Sequence, residues 1–243
     1  MMLTKRDHQL MCFLSEQGVA TFAQLRKEFF VNDEACRCRL RKLLRRNLIE
    51  SISIDEMKKI SVSAYLKMAE ILNLKGSEIW KYRLYRLSEV FRKISPTTET
   101  NSDPKMWRHQ VQLTEVRQFI KEEFPNALIL TESDVESEWR RFKSKTEVAI
   151  PDLVLRSSGK EVAIEMERTL KSEREYQKRM AFYGRSKYTH VIYFCESVNI
   201  FNKIARTSAG SKKIGVSNIL SKDKIYRVGQ GFQPIRTFIH SVY

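Results

Sequence analysis

Three acidic residues in the second half of the chain have the spacing expected of carboxylates in a metal-dependent enzyme. Asp152 follows Pro151 at the start of an apolar run, and Glu165 and Glu167 end the next such run, after a short turn. Neighbouring antiparallel strands would bring Asp152 and Glu165 to one end of a sheet, and residues two apart on a strand share a face. Like charges this close repel each other unless a cation neutralises them. Mg²⁺ or Mn²⁺, bound by carboxylate oxygens, would give the cluster a use in phosphodiester cleavage.

The same residues resemble a known signature. Pro151-Asp152 followed by Glu165-x-Glu167 resembles the PD-(D/E)xK nuclease motif. The resemblance implies that Asp152 and Glu165 ligate the metal. The third position in that family is usually a lysine that positions or activates the attacking water, and here it is Glu167. Lys178, on the following predicted helix, is the candidate to supply the ammonium from a different backbone position.

A glutamate on an upstream helix commonly completes the metal site in that family. Glu115 fits its order in the chain, and Glu132, near the first predicted strand, is the competing candidate. His109 precedes Glu115 on the same predicted helix. We interpret His109 either as orienting a metal ligand or a phosphate, or as an ordinary packed or solvent-facing histidine.

A closer resemblance covers almost the whole chain. The order of motifs is similar to that of the replication-relaxation family, and above all of the MobC-class relaxases of mobilizable plasmids: a winged helix, His109, Glu132, Pro151-Asp152, Glu165 to Thr169, Lys178 and Tyr183. The resemblance implies an enzyme that nicks one strand at a plasmid transfer origin. It also implies a conjugative coupling protein or another relaxosome component as a partner.

Two tyrosines lie on the predicted helix beside the acidic cluster. Tyr176 and Tyr183 are each a candidate for a transesterifying nucleophile. The alternative is that both tyrosines pack onto the sheet, as aromatic side chains at such positions usually do.

The acidic residues also have structural interpretations. Glu165 would pair with Arg168 or Lys178 at the surface, and Asp152 would cap a turn. A non-catalytic plasmid replication or transfer accessory protein, with a nuclease-like domain as a scaffold, is therefore the second hypothesis. A restriction-type endonuclease that cuts both strands is a third.

A basic helix near the N-terminus is the candidate DNA-reading element. Its residues at four-residue spacing share one face, and arginine binds phosphates or reads guanine edges. The alternative is a solvated surface. The basic residues are Arg37, Arg39, Arg41, Lys42, Arg45 and Arg46, and a basic loop before Asp152 adds Arg140, Arg141, Lys143 and Lys145 as candidate phosphate contacts.

The elements that carry the basic helix are predicted to form a winged helix over residues 1–95. Three short helices begin at Thr4, at Thr21 and at Asn32 or Asp33, and a hairpin of 49–54 with 60–62 forms the wing. A further helix over 76–93 would link the domains or form a homodimer interface. The polar segment 96–104, bracketed by prolines, is predicted to be the interdomain linker.

Residues 105–243 are predicted to form an α/β domain around a central mixed sheet, as in PD-(D/E)xK nucleases. The predicted helices cover 106–124, 172–185 and 198–207. The predicted strands cover 127–131, 148–156, 162–168 and 190–195, with weaker signals at 214–216, 225–228 and 235–239.

The charge of the chain indicates the class of partner. Its 243 residues carry a net charge of +15, and such an excess favours a polyanion, here double-stranded and nicked plasmid DNA. No apolar run is long enough to span a membrane. The four cysteines lack the spacing of a zinc site, so free thiols in the cytoplasm are expected.

Overall fold

The chain separates into two compact units, residues 1–115 and 116–243. The structure, a computed structural model, describes residues 3–60, 83–94, 103–141 and 149–240. In this part of the chain no helix has the length and apolar character needed to cross a membrane.

The first unit begins with three helices: α1 (Lys5–Gln17), α2 (Phe22–Phe29) and α3 (Asp33–Arg45). Each follows a residue whose side chain accepts a hydrogen bond from a free backbone N–H of the first turn. Thr4 and Thr21 form reciprocal capping boxes, and Asn32 caps α3 by accepting from the amide of Ala35 at 2.9 Å. The predicted starts of these helices are therefore confirmed, with Asn32 rather than Asp33 as the cap.

The described part of the first unit also contains three short strands: β1 (Ala20–Thr21), β2 (Ile49–Ser53) and β3 (Arg83–Leu87). They form an antiparallel sheet in the order β1-β3-β2. The predicted hairpin of 49–54 with 60–62 is wrong, because Ile54–Ile60 forms helix α4 and β2 pairs instead with β3. Residues 61 and 62 lie outside the described part.

The predicted helix over 76–93 is also wrong where it is described. Residues 83–87 form the central strand β3, and only Glu89–Ile94 is helical, as α5. Leu84 packs in one apolar cluster of the unit, while Tyr85 and Leu87 pack in the other. A strand buried on both faces loses the polar–apolar alternation by which strands are recognised in a sequence.

Helix α6 (Trp107–Glu123) contains the boundary between the two units. Trp107 and Val111 belong to an apolar cluster of the first unit. The Gln24 side chain donates to the Val111 carbonyl at 2.7 Å, and Thr114 donates to the Gln17 side chain at 2.9 Å. The first turns of this helix therefore belong to the first unit, whereas the sequence predicts that the second domain begins at residue 105.

The second unit contains a seven-stranded mixed sheet in the order β10-β9-β8-β7-β6-β5-β4. Strands β6, β7 and β8 run parallel, and the remaining neighbours are antiparallel. The predicted mixed sheet is confirmed. Its strands are β4 (Leu128–Thr131), β5 (Leu153–Ser157), β6 (Lys160–Glu167), β7 (His190–Cys195), β8 (Ile214–Asn218), β9 (Lys224–Arg227) and β10 (Gly231–Pro234).

Four helices accompany this sheet in the described ranges: α7 (Glu132–Arg141), α8 (Glu173–Arg185), α9 (Val198–Thr207) and α10 (Ile235–His240). Helices α8 and α9 are where the sequence predicts them. The other two correct the prediction, because 235–239 is a helix rather than a strand and Arg140 and Arg141 end a helix rather than lie in a loop. Helix α7 begins where Thr131 and Asp134 exchange hydrogen bonds between their side chains and backbone amides.

Candidate functional site

The predicted acidic residues come together at one end of strands β5 and β6. Asp152 immediately precedes β5, and its carboxylate accepts a hydrogen bond from the Met166 amide of β6 at 2.6 Å. Glu165 and Glu167 lie on one face of β6, beside Tyr193 and Cys195 of the parallel strand β7. The antiparallel pairing of β5 with β6 therefore brings the three carboxylates into the arrangement, here called the acid centre, that the sequence predicts.

The pKa of Glu165 is strongly raised. Its side chain is buried, and burial followed by the negative charge of Asp152 raises its pKa to about 8. Tyr183 of α8 donates its hydroxyl to Oε1 of Glu165, and Arg179 of the same helix donates to Oε2 at 3.2 Å. These two contacts favour the ionised carboxylate but do not offset the effect of burial.

Glu167 is also buried, and its partner comes from the loop between β6 and α8. Lys171 Nζ lies 2.5 Å from Oε2 of Glu167. The hydroxyl of Tyr176 holds this loop, because it accepts from the Lys171 amide and donates to the Thr169 carbonyl, both at 3.3 Å. The ammonium is thus placed next to the third signature position by a well-anchored backbone.

Sequence reasoning missed both of these cations. Lys171 follows Glu167 by four residues, and Arg179 lies between Tyr176 and Tyr183 at spacings of three and four residues on α8. Those helical spacings place Arg179 on the inner face of the helix, which is the signal that was available. Lys178, one residue away, is exposed. Arg179 contacts Glu165 at 3.2 Å, and the role of Lys178 as the cation of the site stays a prediction.

The two tyrosines are fully buried. Burial and the neighbouring Glu165 raise the pKa of Tyr183, and burial raises that of Tyr176 to about 12. Each hydroxyl is engaged in an internal hydrogen bond. Both side chains therefore pack in the core, as the packing interpretation predicts, and a nucleophilic role for either stays a prediction.

Three other predicted site residues come from helices α6 and α7. Glu132 is the exposed first residue of α7 rather than part of a strand. It directly follows Thr131, which pairs with Leu153, so the antiparallel register of β4 with β5 brings Glu132 next to Asp152. Glu115 and His109 lie on the part of α6 that belongs to the first unit. The predicted surface pair of Glu165 with Arg168 is wrong, since Arg168 faces Glu196 at 3.7 Å.

The acid centre offers carboxylate oxygens, the ligands that hard metal ions prefer. Among the described residues, no three His, Cys, Asp or Glu side chains are arranged as a ready-made metal site. The donor chemistry nevertheless fits a hard cation, because all three groups are carboxylates. The buried Tyr193 hydroxyl, next to Glu165 across β6 and β7, has no hydrogen-bond partner in the described ranges. An orphaned hydroxyl costs about 1–3 kcal/mol, so a water or ligand oxygen beside it would be stabilised.

No protein-family model, curated protein or solved structure matches the chain at a significant level. The acid centre and the basic helix α3 are therefore the two features of the chain that indicate a function.

Helix α3 divides its basic residues between two roles. Cys36, Leu40 and Leu43 form its buried face. The exposed basic residues are Arg37, Arg41, Lys42, Arg45 and Arg46. Arg37 is partly engaged, since it lies 3.7 Å from Asp33 and 3.8 Å from Glu34 and stacks over the Phe22 ring.

Arg39 is different, because it points into the unit. Its guanidinium donates to both carboxylate oxygens of Asp7 on α1, whose side chain is 1% exposed. Burial alone would raise the pKa of Asp7, but the hydrogen bonds from Arg39 and Thr4 lower it to about 2. Arg39 therefore joins α3 to α1, and its contact with DNA stays a prediction.

The basic segment before Asp152 is only partly described. Arg140, near the end of α7, pairs with Glu136 at 2.6 Å and remains largely exposed. Arg141 ends the same helix. Lys143 and Lys145 lie outside the described residues.

Proposed function

We propose that the chain is a DNA relaxase of the MobC class, with a winged-helix domain that binds the plasmid transfer origin and a PD-(D/E)xK nuclease-like domain that nicks one strand. The observation that carries the proposal is the convergence of Asp152, Glu165 and Glu167 at one end of β5 and β6. A buried carboxyl with a raised pKa, such as Glu165, beside further carboxylates at a sheet end is a physical indicator of a functional site.

The order of elements in the first unit supports the DNA-binding half of the proposal. Helix, strand, helix, helix and strand follow one another, then come helix α4 and, after the undescribed residues 61–82, strand β3; the three strands form one antiparallel sheet. In a helix-turn-helix pair the second helix enters the major groove. That helix is α3, whose exposed face carries Arg41 and Arg45, and the net charge of +15 favours duplex DNA.

The acid centre supports the catalytic half. Asp152 and Glu165 would hold Mg²⁺ or Mn²⁺, with Glu167 beside them, and the metal would supply a water of lowered pKa. Tyr183 fixes the orientation of Glu165 through its hydroxyl. Lys171, held against Glu167, brings an ammonium to the position where the signature usually has lysine, and there it would stabilise negative charge on the phosphate.

The direct test uses supercoiled plasmid that carries the origin, incubated with the protein and Mg²⁺. We expect open-circular product from the wild type and none from Asp152→Asn, while both bind origin duplex with equal affinity. Nicking by Asp152→Asn at the wild-type rate would reject the metal-carboxylate mechanism. A linear product would instead indicate a restriction-type endonuclease.

A second candidate is a non-catalytic DNA-binding accessory protein of plasmid replication or transfer. The observation that favours it is that Glu165 and Glu167 already face internal cations, Arg179 and Lys171. Titration calorimetry with Mn²⁺ separates the two candidates. Tight origin binding without any metal binding would select the accessory role, in which a coupling protein or another relaxosome component would supply the chemistry.

A further inference from the structure

The first unit contains a solvent-open cavity of about 450 Å³ between the first turn of α1 and one side of α3. It lies next to the exposed arginine face of α3 but is distinct from it. Its lining consists of Thr4, Lys5, Arg6, Phe30, Ala35, Cys38, Arg39 and Lys42.

The cavity is strongly basic. Lys5, Arg6 and Lys42 are exposed there, whereas the charge of Arg39 is balanced by Asp7. Glu34 directly precedes Ala35 of the cavity lining. Its carboxylate accepts a hydrogen bond from the Cys38 thiol at 3.1 Å and also faces Arg37. Three cations therefore remain to attract an anion.

Helix stability does not account for these cations. Lys5 and Arg6 occupy the first turn of α1, where a positive charge opposes the helix dipole and destabilises the helix. The Arg6 guanidinium lies 5.5 Å from the centroid of the buried Phe30 ring, which orients it at the cavity wall. An anion in the cavity would offset the cost of placing these charges here.

The shape of α3 leaves room for such an anion. Ala35, Cys38 and Lys42 follow one another at spacings of three and four residues, so they form one strip along the helix. The first two side chains are short and make space, and the third supplies an ammonium at the end of the strip. The neighbouring strip of Arg37, Arg41 and Arg45 faces solvent beside it.

We propose that this cavity binds a phosphate group of the DNA backbone next to the groove that α3 enters. The inference rests on the proposed DNA-binding function and adds to it a specific anchoring site. Contacts to phosphate fix the position of a protein on DNA without reading sequence, whereas contacts to base edges discriminate. Free phosphate offers the same oxygens, and the experiment separates the two sources.

The test compares Lys5→Ala, Lys42→Ala and Arg41→Ala in the full chain, with Lys59→Ala as the matched control. Lys59 is an exposed lysine of the same unit that does not line the cavity. Binding to origin duplex and to an unrelated duplex is measured at several salt concentrations, and thermal unfolding verifies that each variant folds. Thermal protection by inorganic phosphate is measured in parallel.

We expect Lys5→Ala and Lys42→Ala to weaken binding equally for both duplexes and to lower the salt slope by about one each. Lys59→Ala should change neither quantity. Wild-type affinity and slope in the two cavity variants, alongside weakened binding by Arg41→Ala, would overturn the cavity proposal and leave DNA binding intact.

If the wild type binds no duplex, the proposed function fails and the cavity is not a site for backbone phosphate. Phosphate protection that is present in the wild type and lost in Lys42→Ala would then identify a free-phosphate site. The absence of protection would overturn the proposal altogether.

Discussion

Replacing Arg39 by alanine should destabilise the first unit while affecting DNA contact little. The change removes the guanidinium that bonds both oxygens of the buried Asp7 carboxylate. The pKa of Asp7 is about 2, against an ordinary 3.8. A lowering of that size adds about 2 kcal/mol to the free energy of unfolding at neutral pH. Breaking a buried pair generally costs about 3–5 kcal/mol, because the remaining charge stays buried. Since Arg39 is slightly exposed, we expect a loss of about 3 kcal/mol.

The pH dependence follows from the sign of this shift. The pKa of Asp7 is lower in the folded chain, so its contribution is present above about pH 4 and is lost as the pH falls through about 2. The stability difference between the wild type and Arg39→Ala should therefore be largest at neutral pH and shrink over that acidic range.

Urea unfolding followed by circular dichroism gives the magnitude, and fluorescence anisotropy with origin duplex gives the affinity. Arg41→Ala is the matched comparison, because it removes an exposed arginine two residues away on the same helix. It should retain wild-type stability and weaken DNA binding. If Arg39→Ala unfolds at the wild-type urea concentration and loses affinity as Arg41→Ala does, the structural assignment of Arg39 is wrong.

Three further predictions concern the second unit. Lys171→Met should lower the rate of plasmid nicking about a hundredfold, as loss of a charge-stabilising group does, whereas Lys178→Met should not. Equal nicking rates for the two variants would contradict the assignment of Lys171. Tyr183→Phe should lower nicking about tenfold, because the phenol only orients Glu165, and complete loss with an intact fold would restore its role as a nucleophile. Burial lowers the pKa of His190 to about 4, from 6.5, so the unit should lose about 3 kcal/mol of stability as the pH falls across that range. Urea unfolding measures this loss, and His190→Phe should lack it.

The sheet of the second unit could be predicted because its inner strands are continuous apolar runs between turns. Strand β7 reads His-Val-Ile-Tyr-Phe-Cys, and Ser158-Gly159 marks the turn between β5 and β6. Helix α10 was misread although Ile235, Phe238 and Ile239 have helical spacing and follow Pro234. A segment of six residues contains too few apolar positions to distinguish the 3.6-residue period of a helix from the two-residue period of a strand.

The acid centre could be predicted in part for a related reason. Strand pairing and the two-residue period decide where Asp152, Glu165 and Glu167 lie, and both can be read from the sequence. Lys171 could not, because it lies on the loop between β6 and α8, whose path is set by tertiary packing. The spacing of Arg179 from Tyr176 and Tyr183 was a signal that the sequence offered. One residue corresponds to about 100° around a helix, which separates Lys178 from Arg179.

The burial of Glu165 is itself an argument for function. A buried ion pair contributes little net stability, and an apolar pair of similar volume often serves as well or better. Glu165 is buried beside a second carboxylate, and its contacts with Tyr183 and Arg179 leave its pKa raised to about 8. Stability therefore does not account for a carboxyl at this position, and a ligand that favours negative charge does. A divalent cation or a protonated donor would each satisfy that condition, and the affinity of the acid centre for Mn²⁺ decides between the nicking enzyme and the accessory protein.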